Sequence, residues 1–132
     1  MWAVSTDELD FESARLGLEI SEGRVTHENG TVGTWRSAGS THRDVTRGSL
    51  PFWLSYDDPD ETRPELWARR LAEAASVTNV QGMAWLEVGG APHELERWLG
   101  SNAALPVRAV NSGRGGLLRV AVAMPEREVV IS

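Results

Sequence analysis

The feature that most constrains the fold is an order of elements that occurs twice. In the first half, an apolar run at 1–6 precedes a helical pattern that begins near Asp7, and three further strand-like runs follow. In the second half, a run at 80–88 precedes a helical pattern at 91–100, again with three strand-like runs after it. Those last runs lie at 107–110, 117–124 and 129–131. Both halves read strand, helix, strand, strand, strand, and one such unit cannot cover its own sheet. We therefore expect an α+β fold in which the two halves pack together.

Helix-capping residues mark the ends of the predicted helices. Thr6 is suited to be the N-cap of the first helix, and Gly17 is suited to end it. In the second half, Pro92 stands in the first helical turn and Gly100 follows the last one. Between the halves, residues 63–75 predict an additional amphipathic helix.

Turn residues organise the strands of the first half. Asn29-Gly30 divides the β-like segment 23–36 and predicts a hairpin, because both central residues of a type I′ turn need positive φ. Residues 37–49 are rich in Ser, Thr, Arg and Gly and predict a loop before the strand at 50–56.

These elements divide the chain into three predicted parts. Module one covers 1–57, a helical linker covers 58–78, and module two covers 79–132.

Composition excludes several classes of partner. The chain has 132 residues, of which 41% are hydrophobic and 24% charged, as in a globular domain. All 13 basic residues are arginine and the net charge is −6, which disfavours nucleic acid or an anionic membrane as a partner. The absence of cysteine removes disulfides and cysteine-ligated metal centres. The first residues lack the basic and apolar regions of a signal peptide, so we expect a cytoplasmic protein.

Three segments resemble a known family. They are Gly30-Thr31-Val32 with Trp35-Arg36, then Leu50-Pro51-Phe52-Trp53-Leu54, and the closing Glu128-Val129-Val130-Ile131-Ser132. Over nearly the whole chain these segments resemble the glyoxalase-like proteins of the vicinal oxygen chelate superfamily. The resemblance implies two βαβββ modules that form a cupped mixed sheet with the helices on its outer face.

The resemblance also raises the question of a metal. Metal-dependent relatives place His, Glu or Gln on the first and last strands of each module, so that four side chains converge in the cup. The matching positions here carry Trp2 or Val4, Ser55, Gln81, and Val130 or Ile131. Only Gln81 is a usual donor, and one weak donor does not hold a divalent ion. The three histidines lack metal-binding spacing and are interpreted as surface residues. We therefore predict no metal and no cofactor.

The six tryptophans are the most unusual part of the composition. Trp67 and Trp98 lie on predicted amphipathic helices and are expected to pack against the convex side of the sheet. The tryptophans on strands are the better candidates for a binding surface, because ligand pockets are mostly apolar with a few placed polar groups.

The predicted ligand-binding residues are the flat or polar side chains on strands. They are Trp35, Trp53, Ser55, Trp85, Glu87 and Arg119. Strand alternation places Trp53 with Ser55 on one face, and Trp85 with Glu87 on one face. Arg119 is the single charge in its strand, so it either pairs with Glu87 or binds an anionic ligand. Structural pairing or simple exposure is the favoured interpretation.

Three functions remain open from the sequence. The favoured one is metal-independent binding of a small organic molecule in the cup. The second is a metal-dependent lyase, isomerase or dioxygenase of the same superfamily. The third is a domain that forms a homodimer through exposed sheet edges. No catalytic residue is named, and no nucleic acid or membrane is expected as a partner.

Overall fold

The computed structural model describes residues 1–26, 28–57, 68–70, 72–73 and 81–132. In chain order the first half contains β1 (Ala3–Ser5), α1 (Leu9–Leu16), β2 (Ile20–Thr26), β3 (Val32–Ala38), α2 (Arg43–Thr46) and β4 (Phe52–Tyr56). The second half contains β5 (Gly82–Gly89), α3 (Pro92–Leu99), a 3₁₀ turn (Gly100–Asn102), β6 (Val107–Val110), β7 (Gly116–Ala123) and β8 (Glu128–Ile131). The predicted α+β class is confirmed.

The predicted linker falls largely outside the described residues. Within it, residues 68–70 and 72–73 have helical backbone and are exposed. The rest of the helix predicted at 63–75, including Trp67, lies outside the described part of the chain.

The first half forms a four-stranded mixed sheet. Its strand order is β1-β4-β3-β2, with β1 parallel to β4 and the other neighbours antiparallel. The hairpin predicted around Asn29-Gly30 is present as β2 and β3, and Gly30 has a φ of 83°. Pairing ends at Thr26 opposite Val32, so the connection is longer than the two-residue turn that the sequence suggested. The side chain of Asn29 instead accepts a hydrogen bond from the backbone N–H of Thr31 at 3.0 Å.

The second half forms a separate four-stranded mixed sheet with a different strand order. Here β5 lies parallel to β6 on one side and antiparallel to β7 on the other, which gives the order β6-β5-β7-β8. In the first sheet the opening strand β1 pairs with β4, the last strand of its half. In the second sheet the opening strand β5 lies between β6 and β7 and does not pair with β8, the last strand. The two halves therefore share an order of elements but not an order of strands.

Helix α1 begins later than the sequence indicated and ends where it indicated. The N-cap position is Glu8, and the Thr6 hydroxyl accepts a hydrogen bond from the Glu8 N–H at 3.0 Å. The prediction of Thr6 as N-cap is therefore wrong by two residues. At the other end, Gly17 adopts the left-handed conformation with a φ of 65°, which glycine reaches without a steric penalty and which ends the helix as predicted.

The predicted loop at 37–49 contains regular structure. Strand β3 continues to Ala38, and α2 occupies four residues with Val45 fully buried. Nδ1 of His42 accepts a hydrogen bond from the Asp44 N–H at 3.2 Å and so caps α2. The His42 ring also lies against Trp98, with 4.9 Å between ring centroids. His42 is therefore not the solvated residue that the sequence suggested, whereas His93 is exposed.

One hydrophobic core takes side chains from both halves. The first half supplies Val4, Leu9, Ala38, Val45, Leu50 and Trp53, and the second supplies Leu86, Val88, Leu95, Trp98 and Leu99. A hydrogen bond of 2.8 Å from Nε1 of Trp98 to the Pro51 carbonyl oxygen joins the halves inside this core. Trp98 is buried, in agreement with its predicted packing role.

Candidate functional site

The register of the second sheet brings three charged residues into one row. Glu87 in β5 lies directly opposite Arg108 in β6 and directly opposite Arg119 in β7. Its neighbours along the strand, Leu86 and Val88, belong to the core on the other face of the sheet. Because side chains alternate along a strand, Glu87 points to the face away from that core.

Glu87 accepts hydrogen bonds from both arginines and is itself almost completely covered. Nε of Arg108 donates to Oε2 at 2.8 Å, and Nε of Arg119 donates to Oε1 at 2.7 Å. Nη2 of Arg119 also lies 2.7 Å from Oε1. The Glu87 side chain is 4% exposed, against 53% for Arg108 and 47% for Arg119. These charge-assisted hydrogen bonds offset the cost of removing a carboxylate from water.

The same contacts hold Glu87 in its charged form. The hydrogen bond from Arg119 lowers the pKa of Glu87, burial opposes that shift, and the hydrogen bond from Arg108 lowers the pKa further. The carboxylate is therefore an anion at neutral pH and a fixed acceptor for both guanidinium groups.

Trp85 lies next to this row of charged residues. It is on the face of the second sheet that points away from the core, which is called the open face below. The guanidinium carbon of Arg108 lies 4.1 Å from the centroid of the Trp85 ring, and that of Arg119 lies 5.9 Å away. Both distances are in the range of cation–π contacts. Nε1 of Trp85 donates to Oε2 of Glu128 in β8 at 3.2 Å. Trp85, Glu87, Arg108, Arg119 and Glu128 are called the Trp85 cluster below.

The strand backbone makes room for the Trp85 ring. The pairing of β5 with β7 shifts register between Met83 and Trp85, an irregularity of the kind that redirects a side chain. The residue opposite Trp85 is Ala121, which is small and fully buried. The indole can therefore lie close to the sheet at Ala121.

The structure brings together three of the six predicted site residues. Trp85, Glu87 and Arg119 meet in the Trp85 cluster, and the predicted Glu87–Arg119 pair is present. Trp53 and Ser55 belong to the first sheet, where Trp53 is fully buried in the core. Ser55 shares its strand face and lies opposite Arg36.

Trp35 lies on the other face of the first sheet from Trp53. It is opposite Gly23, and a Cβ atom added to Gly23 would overlap the six-membered part of the indole, so the ring covers the β2 backbone. A cleft of about 370 Å³ lies at this end of the sheet. Its lining residues are Glu22, Gly23, Arg24, Thr34, Trp35 and Asp57. Two of the polar residues that line the cleft are joined by a hydrogen bond of 3.1 Å from Thr34 Oγ1 to Asp57 Oδ2.

Sequence reasoning missed Arg108 and the role of Glu128. Arg108 is the single charge in β6, which is the same signal that identified Arg119 in β7. Applying that criterion to every strand would have found it. Glu128 is at the start of β8, and only the antiparallel register of β7 and β8 places it near Trp85.

Over the described residues, no group of three or more His, Asp or Glu side chains is arranged to hold a metal ion. His27 lies outside that part of the chain. The described segments also contain no helix that is long and apolar enough to cross a bilayer. Comparison of the chain with protein-family models, characterised proteins and solved structures finds no significant match.

Proposed function

We propose that this protein binds a small organic molecule, without a metal, at the Trp85 cluster on the open face of the second sheet. The observation that carries the proposal is the fixed stack of the Arg108 guanidinium on the Trp85 ring, 4.1 Å from its centroid. An indole and a guanidinium both present flat faces on which a planar ligand can stack.

The cluster is organised before any ligand arrives. Arg side chains are long and lose rotamer freedom when they are held, which normally reduces affinity. Here the buried Glu87 already fixes both arginines through their Nε atoms. A ligand that contacts them therefore meets a surface whose ordering cost was met during folding. The same preorganisation distinguishes this cluster from scattered surface arginines.

The proposal includes the family suggested by the sequence. On this view the chain is a glyoxalase-like domain of the vicinal oxygen chelate superfamily, in which two βαβββ modules form a cup. Support comes from the order strand, helix, strand, strand, strand in each half, with α2 added before β4. The different strand orders of the two sheets weigh against a strict structural repeat. The proposal assigns no reaction and no catalytic residue.

The test follows the indole N–H of Trp85 by NMR during titration with flat aromatic probes. The full chain gives one indole N–H signal for each of its six tryptophans, and Trp85→Phe identifies the signal of Trp85 by its disappearance. The probes include neutral 2-naphthamide and anionic 2-naphthoate. We expect at least one of the two to move the Trp85 signal in a saturable way.

Trp35→Phe is the matched control, since Trp35 is also a half-buried tryptophan on a strand but lies in the first sheet. Binding should survive in Trp35→Phe and weaken in Trp85→Phe. The proposal is overturned if no probe in the panel moves the Trp85 signal, or if Trp35→Phe is the variant that loses binding.

A further inference from the structure

We infer that the ligand of the Trp85 cluster is an aromatic carboxylate, whose carboxylate group is held jointly by Arg108 and Arg119. This inference rests on the proposed function and specifies the chemistry of its ligand. Glu87 has the role of a positioning residue, because it acts on the ligand only through the two arginines.

Both arginines keep hydrogen-bond donors that Glu87 does not use. Glu87 engages Nε of Arg108 and both Nε and Nη2 of Arg119. Among the described residues, neither Nη atom of Arg108 nor Nη1 of Arg119 has a hydrogen-bond partner. Guanidinium N–H groups can only donate, so the group that they recognise is an acceptor. About half of each arginine side chain is exposed, which leaves these donors accessible.

The charge around the unused donors also favours an anion over a cation. Arg108 and Arg119 each carry a positive charge, and within the described segments Glu87 is the one negative charge that both of them contact. The row of Glu87, Arg108 and Arg119 therefore has one excess positive charge, while Glu128, which accepts a hydrogen bond from Nε1 of Trp85, makes the cluster as a whole neutral. A cationic ligand would be repelled by this row, and it would also compete with Arg108 for the Trp85 ring. An anion instead pairs with the guanidinium donors that Glu87 leaves unused.

The shape of the two guanidinium groups fits a carboxylate. A carboxylate is planar and matches the fork of a guanidinium, so that two oxygens can accept from two donors at once. Strands β6 and β7 lie on either side of β5, which places one arginine on each side of Glu87. An aromatic ring that bears the carboxylate can stack on the Arg108 guanidinium, which lies over the Trp85 ring and is about half exposed. The guanidinium donors and the stacking surface therefore point to one ligand that combines a carboxylate with an aromatic ring.

The experiment compares 2-naphthoate with 2-naphthamide by calorimetric titration of the full chain. The two probes have nearly the same shape and differ in charge, so their affinity ratio isolates the contribution of the carboxylate. We expect the carboxylate to bind about tenfold more tightly or better, since hydrogen bonds to charged groups are stronger than those between neutral groups. The preference should decrease with increasing salt.

Two arginine variants test where the preference arises. Arg108→Gln and Arg119→Gln should each abolish most of it, because each removes one side of the pair. Arg114→Gln is the control, since Arg114 is an exposed arginine outside the cluster and its loss changes the net charge by the same amount. Arg114→Gln should keep the preference.

Each glutamine variant leaves the buried Glu87 without one of its partners, which could prevent folding. Arg108→Lys is therefore included as a second variant. Lysine keeps the charge next to Glu87 but loses the planar fork of the guanidinium. It should lower the preference for the carboxylate, and thermal unfolding checks that the variant is folded.

Equal binding of acid and amide to the unmodified chain overturns this inference and leaves the proposed function standing. If neither probe binds, the proposed function falls and the inference with it. A preference that persists in all three variants of Arg108 and Arg119 also overturns it.

Discussion

The guanidinium of Arg15 donates a hydrogen bond of 2.7 Å to the carbonyl oxygen of Arg97, 82 residues further along the chain. It also donates to the carbonyl oxygen of Trp98, so one side chain of α1 satisfies two carbonyl groups in the last turn of α3. Arg15 is held in place by Glu12, whose Oε2 lies 2.6 Å from its Nη2 and whose side chain is 1% exposed. This contact ties the two halves together outside the hydrophobic core.

Replacing Arg15 should therefore be costly. Arg15→Met leaves the carboxylate of Glu12 buried without its partner and the two carbonyl groups of α3 without a donor. We expect a loss of about 3 kcal/mol or more in the free energy of unfolding, measured by urea denaturation. The matched control is Arg36→Met, because Arg36 pairs at 3.1 Å with Asp10 of the same helix, and Asp10 is 76% exposed. The control should cost less than about 1 kcal/mol from the ion pair. Equal losses in the two variants would contradict this account.

The buried tryptophans Trp98 and Trp53 should differ in their response to phenylalanine. Nε1 of Trp98 donates to the buried Pro51 carbonyl oxygen, whereas Nε1 of Trp53 is buried with no partner among the described residues. Both substitutions remove part of a ring from the core, but only Trp98→Phe leaves an acceptor unsatisfied, and Trp53→Phe removes an unpaired donor. We expect Trp98→Phe to be the more destabilising by about 1 kcal/mol or more, in parallel urea unfolding experiments. A larger loss for Trp53→Phe would mean that ring packing alone decides the outcome.

The contribution of Glu87 to stability should depend on pH. The hydrogen bond from Arg119, assisted by that from Arg108, lowers the pKa of Glu87 in the folded state. The stabilisation is therefore fully present above the unfolded-state value of about 4.3, and it is lost as pH falls through the lower folded-state pKa. Glu87→Gln should be less stable than the unmodified chain at pH 7, and the difference should shrink as pH falls below about 4. Unfolding free energies measured across this range check the prediction, and a difference that stays constant with pH would rule it out.

Gly23 should be intolerant of any side chain. A Cβ atom at this position would overlap the indole of Trp35, so Gly23→Ala must displace the ring that covers β2. We expect a destabilised protein in which the indole N–H signal of Trp35 moves and the ring becomes more exposed. Gly113→Ala is the control, because a Cβ atom at Gly113 would meet nothing within 4 Å. That variant should be neutral or slightly stabilising, by up to about 1 kcal/mol. An unchanged Trp35 signal in Gly23→Ala would show that the ring does not lie over this glycine.

Local patterns in the sequence were sufficient for the order of elements and for three of the five residues of the Trp85 cluster. Alternation placed Glu87 and Arg119 inside apolar strands, where a charge needs a partner, and this reasoning led to their pairing. The single charge of β6 marked Arg108 in the same way, but its pairing with Glu87 depends on the parallel pairing of β5 and β6, and therefore on how α3 and its connections return the chain. That return is set by tertiary packing, which the residues of either strand do not encode locally.

Two further differences have similar causes. Alternation gave Trp53 and Ser55 a common face, but only the packing of α1 and α3 decides that this face is the buried one. Helix α2 is one turn long and is capped by His42, so it has neither the length for a hydrophobic period nor a typical N-cap residue. Its position depends on the burial of Val45 and on the contact between His42 and Trp98.

The parallel pairing of β1 with β4 has a consequence for the folding kinetics of the first half. β2 and β3 can form their hairpin early, because they are neighbours along the chain. The three residues of β1 can join only after α1, the hairpin and α2 have brought β4 back beside them. Until then β4 has an unpaired edge, so this is the stage at which a second chain can add to the sheet. The docking of this short N-terminal strand covers that edge of β4.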